Sequence, residues 1–247
     1  MSDFQSGREF MKSKFGEPSR QPSDQQRGVP YPDLQKPVGD GEVLDLPAPD
    51  RNVITEADFF TLVEERKSRR KYTDAALTLE ELAFLLYATQ GVKQKLRRGY
   101  ATRRTVPSAG ARHPFETYLA VNRVDELDPG LYRYLPLSHQ LLSLGAVDQL
   151  PEKLTAANLG QRFVGDAACV FIWSCIPYRA EWRYQDHAHK NMLLDAGHIC
   201  QNLYLAVEAV RAGTCAIGAY DQELMDDLLG LDGEDEYVVY LSPVGRY

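Results

Sequence analysis

The chain opens with a stretch in which apolar positions are sparse and show no regular period. Over residues 1–50, Pro22, Pro30, Pro32, Pro37, Pro47 and Pro49 are spaced so that no helix can run. This predicts an extended arm whose first two dozen residues are mobile. The rest of the arm is expected to dock through the short alternation Val43-Leu44-Asp45-Leu46-Pro47. From Thr55 the spacing becomes helical: Thr55 with Asp58 gives an approximate capping signal, and Phe59, Leu62 and Val63 form an apolar stripe. Thr78-x-x-Glu81 is a capping box that opens a second helix through Leu82, Leu85 and Leu86, with Gly91 as its stop. Lys93 to Arg104, with six cations, reads as a loop.

Period-two alternation then takes over. Thr117 to Val121 reads as a strand, and Gly130 to Tyr134 with Leu141 to Leu144 as a hairpin, followed by a helix near Leu150 to Leu159. The continuous apolar run Ala167 to Trp173 predicts a strand buried on both faces. His187 to Arg211 is apolar nearly all round in its second half, which predicts a central buried helix ended by Gly213. A strand (Cys215 to Ala219), a short helix (Gln222 to Leu229) and a last strand (Tyr237 to Leu241) complete an α+β pattern in one large domain, residues 51–247.

Composition narrows the function. A formal charge of -7 argues against a nucleic-acid protein, which would present a broad basic face. The apolar runs are shorter than a bilayer span, and Asp3, Arg8 and Glu9 stand where a signal peptide needs apolar residues; the expectation is a soluble cytoplasmic protein without membrane partners. Cys169, Cys175, Cys200 and Cys215 are widely spaced in apolar surroundings and read as reduced core thiols. His187, His189 and His198 lack the cysteine or carboxylate pattern of a metal site, and none is expected. His198 is expected inside the buried helix.

Against the acidic background, Arg66-Lys67-Ser68-Arg69-Arg70-Lys71-Tyr72 places five cations in seven residues at a predicted helix end. Such a cluster suits a phosphate; cations at a helix C-terminus are also favourable without a ligand, so the cluster alone leaves both readings open. Downstream, Arg104 precedes Pro107-Ser108-Ala109-Gly110, where small residues and a glycine let backbone N–H groups approach a flat polar ligand.

Arg66-x-Ser68-x-Arg70 and Pro107-Ser108-Ala109-Gly110 resemble elements of the nitroreductase-like flavoproteins. The runs PSAGARHPFE, DAGHICQNLYLA (Asp195 to Ala206) and GTCAIGAY (Gly213 to Tyr220) bring the resemblance to the SagB/ThcOx-type branch, the azoline oxidases and their standalone relatives. The resemblance spans roughly Arg27 to the C-terminus. It implies a central, mostly antiparallel sheet flanked by helices, a homodimer with FMN at the subunit interface, and an arm that wraps the core or the partner subunit. It implies that Arg66, Ser68 and Arg70 hold the FMN phosphate and ribityl chain, with Arg104 as an additional contact. Pro107, Ser108, Ala109 and Gly110 would lie beside the ring, often that of the opposite subunit, and the backbone of Ile217, Gly218 and Ala219 against it. Tyr184 matches the tyrosine of the branch's Lys-Tyr pair, with Arg183 in place of the lysine proposed as the base; arginine stays protonated and is a poor base. Tyr184 can still donate a proton or position a substrate, beside an aromatic wall of Trp173, Trp182 and Tyr178.

The implied activity is FMN-dependent hydride transfer in a ping-pong cycle, with NAD(P)H, dioxygen or an azoline- or nitro-type substrate as electron partner. No G-x-G-x-x-G element follows a strand, so any nicotinamide would visit the flavin site itself. The alternative is a flavin-binding module without turnover, for sensing or sequestration. Arg246 reads as either another phosphate contact or an exposed end.

Overall fold

The computed structural model describes residues 4–13, 15, 21–96 and 99–247. The expected mobility of residues 1–25 falls partly outside these, as do Arg97 and Arg98 of the predicted loop. Among the described residues the helices are α1 (Gln5–Phe10), α2 (Phe59–Glu65), α3 (Leu79–Gln90), α4 (Leu150–Ala157), α5 (Arg162–Gly165), α6 (Tyr178–Tyr184), α7 (Ala188–Ala209) and α8 (Gln222–Leu229). The strands are β1 (Val43–Asp45), β2 (Val92–Lys95), β3 (Thr102–Arg104), β4 (Phe115–Val121), β5 (Gly130–Leu135), β6 (Gln140–Gly145), β7 (Cys169–Cys175), β8 (Gly213–Thr214) and β9 (Tyr237–Gly245).

Seven of these strands form one antiparallel sheet in the order β1-β6-β5-β4-β7-β9-β8. Its centre is buried on both faces, and strand alternation assigns each side chain a layer. Leu119, Val121, Phe171 and Trp173 pack with Leu82, Leu85 and Leu86 of α3 and Ile199, Leu203 and Val207 of α7. Tyr118, Ala120, Val170 and Ile172 face the other way, onto Leu150 and Leu154 of α4, Val164 of α5 and Met225 of α8. The expected continuous apolar strand is β7, shifted two residues toward the C-terminus.

Local chemistry explains the helix boundaries. Thr78 and Glu81 form the predicted capping box and Gly91 is the C-cap of α3. Thr78→Ala is expected to lower stability by about 1 kcal/mol, read as a fall in thermal midpoint without loss of fold. At α2 the cap is Asp58, whose carboxylate accepts from the Thr61 N–H. Thr55 serves elsewhere: its hydroxyl donates to the Ala209 carbonyl.

Several expectations are corrected. Residues 93–104 are not one loop, because β2 and β3 pair antiparallel with Lys95 opposite Thr102. α7 ends at Ala209, before Gly213: Arg211 takes a left-handed φ of 54° and the Ala212 N–H returns to the Val207 carbonyl. Nor is α7 buried all round, since Leu193 and Leu194 are 51% and 53% exposed. His198 lies on that exposed face and is not a core histidine. Beside it, the α2 stripe is open to solvent at Phe59 (69% exposed) and Val63 (50% exposed), with Phe60 (73% exposed) next to them.

The arm lies along the sheet and its helices. β1 pairs with β6, the Gln25 N–H donates to the Trp182 carbonyl, and the Lys36 ammonium bonds Glu236. All four cysteines are buried and free, and burial pushes the Cys200 thiol up to about 12. Among the described residues, no helix is long and apolar enough to cross a membrane.

Candidate active site

Two of the three sequence motifs meet at one end of α7. Arg66 is the C-cap of α2, and the segment after it runs beside β8: Ser68 bridges Thr214, and the Arg69 N–H donates to the Thr214 carbonyl at 2.9 Å. Tyr204 of α7 ties the two together. Its hydroxyl shares a hydrogen bond with Ser68 Oγ at 2.8 Å and accepts the Ala216 N–H at 2.9 Å, while the Arg66 guanidinium lies over its ring.

The alternation of the basic run sorts its members. Ser68 and Arg70 are exposed and Arg66 half-buried. Arg69 turns inward, 9% exposed, to pair with Glu208 and stack on Tyr247. Among the described residues neither Arg66 nor Arg70 forms an ion pair, so two guanidiniums and a hydroxyl face outward together. Of Ile217, Gly218 and Ala219, the first is buried and exchanges both backbone hydrogen bonds with Leu241. Its N–H is therefore not free for a ligand. Gly218 and Ala219 are exposed, and a Cβ at Gly218 would meet nothing within 4 Å, which leaves a flat open surface.

The third motif lies elsewhere. The turn from Ser108 to His113 packs against Asp195, nine positions before Tyr204 on α7, or about 14 Å along the helix axis. Gly110, Ala111 and His113 have positive φ values of 59°, 53° and 45°. For the two residues that carry a Cβ this costs about 1–2 kcal/mol each. The turn is held by a dense set of bonds. The Ala109 N–H donates to both Asp195 oxygens at 3.2 Å, the His113 N–H to Ser108 Oγ at 2.9 Å, and the Ala111 N–H to the Ser108 carbonyl at 2.9 Å. Ser108 also favours the charged form of Asp195. Ser108 is therefore engaged within the protein, rather than held out as a free hydroxyl. Pro107 is exposed at the mouth of the turn.

Arg183 and Tyr184, at the end of α6, cover Gly110: a Cβ there would stand 2.5 Å from the Tyr184 hydroxyl and 3.2 Å from Arg183 Cδ. Arg183 donates to the Tyr100 hydroxyl at 2.9 Å. The aromatic wall differs from the one expected. Trp173 is fully buried in the core and Tyr178 is largely exposed. Trp182 instead meets Tyr100 edge to face, and the Arg112 guanidinium lies over both rings; Arg112 is 2% exposed, and burial makes it less basic. Burial also pulls His113 down to about 3, so its ring is neutral, with Nε2 at 3.2 Å from the Thr102 carbonyl.

Arg104 is not placed as a ligand contact. It is 5% exposed, its guanidinium donates to Gln90, Thr102 and the Leu34 carbonyl, and burial lowers it to about 10. Arg246 is likewise taken, bonding both Glu81 carboxylate oxygens and the Val210 carbonyl. Asp195 and Tyr204 are the residues that sequence reasoning passed over, although both fall in the DAGHICQNLYLA run. Their signal was a carboxylate and a phenol beside the apolar positions Ala196, Ile199, Cys200 and Leu203. Among the described residues, no group of three or more His, Cys, Asp or Glu side chains comes together to hold a metal ion.

The chain is similar to known proteins in sequence and fold. A protein of Methanocaldococcus jannaschii named as a nitroreductase is 32% identical over 206 residues, covering 83% of this chain and 98% of that one. The trifolitoxin-processing protein TfxB of Rhizobium leguminosarum bv. trifolii is 28% identical over 141 residues, covering 54% of this chain and 38% of TfxB. Among solved structures, a nitroreductase-named protein of Anabaena variabilis superposes with a TM-score of 0.72 at 27% identity, over 85% of this chain and 42% of its own. A Desulfovibrio desulfuricans protein crystallised with FMN shares the fold at a TM-score of 0.54 and 19% identity, over 78% of this chain and 87% of its own. The Nitroreductase family profile matches residues 63–246, a span that takes in the basic run, the strained turn and the segment after α7, and the chain belongs to that family.

Proposed function

We infer that the protein is an FMN-dependent oxidoreductase that acts as a homodimer. The observation that carries this reading is the placement of Ser68 beside Thr214, with Tyr204 joining Ser68 to the Ala216 amide and the Arg66 guanidinium over the Tyr204 ring. The chain's own residues fit the cofactor. The unpaired guanidiniums of Arg66 and Arg70 suit a phosphate dianion, Ser68 suits a polyol chain, and the open backbone at Gly218 and Ala219 suits a flat ring. When bound, FMN supplies hydride transfer; the protein supplies binding, orientation and exclusion of water.

A dimer accounts for two features at once. Within one protomer the strained turn and the basic run are separated along α7, so a single ring is best served by the basic run of one subunit and the turn of the other. The exposed apolar side chains Phe59, Phe60, Val63, Leu193 and Leu194 lie on α2 and α7, which pack together. Covering them is favourable at about 25 cal/mol per Å². In this reading residues 51–247 form the flavin unit and residues 21–50 are a strap laid over it.

For the electron partner we infer NAD(P)H as donor, with dioxygen or a nitro compound as acceptor; in the peptide option an azoline is instead the donor, losing a hydride and a proton to become an azole, with dioxygen as acceptor. The peptide option draws on the similarity to a toxin-processing protein. Arg183 cannot serve as a general base, which leaves Tyr184 as the proton-carrying group beside the turn. Anaerobic titration of the FMN-loaded protein with NADH and NADPH tests the reading: the flavin should bleach with at least one of them and recover its colour with an acceptor. A flavin that binds but is reduced neither by a nicotinamide nor by an azoline-containing peptide would instead support a flavin-binding module without turnover.

A further inference from the structure

Asp195 is a buried carboxylate, 6% exposed, that forms no ion pair among the described residues. Burying an unpaired carboxylate is unfavourable, and here desolvation raises its pKa above the ordinary value, with opposing hydrogen bonds from Ser108 and Ala109. What the carboxylate touches is the turn. It accepts the Ala109 N–H through both oxygens, and the adjoining Ser108 Oγ accepts the His113 N–H. One side chain on a rigid helix thus anchors the start of a segment whose three left-handed residues would not hold that shape unaided.

We propose that Asp195 is a positioning residue whose carboxylate fixes the 108–113 turn, through Ser108 and the Ala109 amide, in the conformation that receives the flavin. This rests on the flavin reading above. The titratable groups that face it are His198 on its own helix and Cys175 on β7; Arg183 and Tyr184 lie across the turn at Gly110. As pH falls and the carboxylate takes up a proton, one oxygen ceases to accept, and the hold on the turn weakens.

The test uses the full chain with D195N, D195A and S108A. Hydrogen exchange of apoprotein peptides covering Ala109 to His113 reads the turn without any flavin. D195A should exchange about tenfold faster there, with α7 and the sheet unchanged. D195N, whose amide oxygen still accepts the Ala109 N–H, and S108A should fall between D195A and the parent. Unchanged exchange in D195A overturns the proposal. FMN titration of the apoproteins then reads the link to the ligand. Near neutral pH D195N should bind about tenfold more weakly than the parent, a loss of about 1.4 kcal/mol, and the gap should close as pH falls. Equal affinity at all pH values overturns that link. If the parent protein takes up no FMN, the flavin reading fails, while the exchange measurement still decides whether Asp195 holds the turn.

Discussion

Replacing both Arg66 and Arg70 with alanine should weaken FMN binding roughly 30- to 700-fold while leaving the fold intact. Each guanidinium has no ion-pair partner among the described residues and stands at the protein surface. Its loss removes a charge-assisted contact to phosphate and leaves no buried group unsatisfied. Two such contacts, discounted for exposure, amount to about 2–4 kcal/mol, or about tenfold in affinity for each 1.4 kcal/mol. Arg69 provides the internal contrast. Buried between Glu208 and Tyr247, its replacement by alanine strands a carboxylate, so that variant should lose thermal stability first. Fluorescence titration of the apoproteins with FMN, repeated at rising salt, separates the two. The parent's affinity should fall with ionic strength, and that of the double variant should fall less. An unchanged dissociation constant in the double variant would return the basic run to an ordinary helix end.

Gly110→Val is expected to cost about 2–4 kcal/mol and to disable the site. Gly110 has φ 59°, a region closed to β-branched residues, and its added Cβ would meet the Tyr184 hydroxyl at 2.5 Å. Tyr184 cannot swing away freely, because Arg183 and Phe15 pack around it. The fall in thermal midpoint should be roughly 5–15 °C for a chain of this size. Gly160→Val serves as the control. Gly160 has φ 79° with nothing within 4 Å of its would-be Cβ, so it shows the backbone cost without the clash. Gly110→Val should lose more stability than the control and should alter the reduction rate of bound flavin, which the control leaves alone. Equal losses would mean that Tyr184 does not close over the turn.

The two-layered sheet was legible because β4 is apolar from Tyr118 to Val121 and β7 from Cys169 to Trp173, and the capping box of α3 stood out because its chemistry is local. Tertiary context was harder to see. Phe59 and Val63 follow a core-facing spacing, yet among the described residues nothing buries them, and a sequence pattern does not say whether a stripe joins its own core. The β2–β3 hairpin was hidden because its strands are cationic and carry no apolar alternation. In the site, the basic run and the glycine-containing turn were readable as motifs. The inward turn of Arg69 onto Glu208, the bonds of Arg104 to Leu34 and of Arg246 to Glu81, the Asp195–Ala109 contact and the Tyr204–Ser68 contact join positions far apart in the chain, and sequence spacing cannot supply such pairs. The bridge that consumes the Ile217 N–H, to Leu241 on β9, likewise follows from how the strands pair and not from a local motif.

The most direct test of the central claim is a size-exclusion run with light scattering and visible absorbance recorded across the protein peak, after the apoprotein has been loaded with FMN. A homodimer carrying close to one FMN per subunit, with the flavin colour tracking the protein mass, is the predicted result. A colourless peak would contradict the flavin site built from Arg66, Ser68 and Arg70, and a flavin-loaded monomer would contradict the shared site in which one subunit's turn completes the other's.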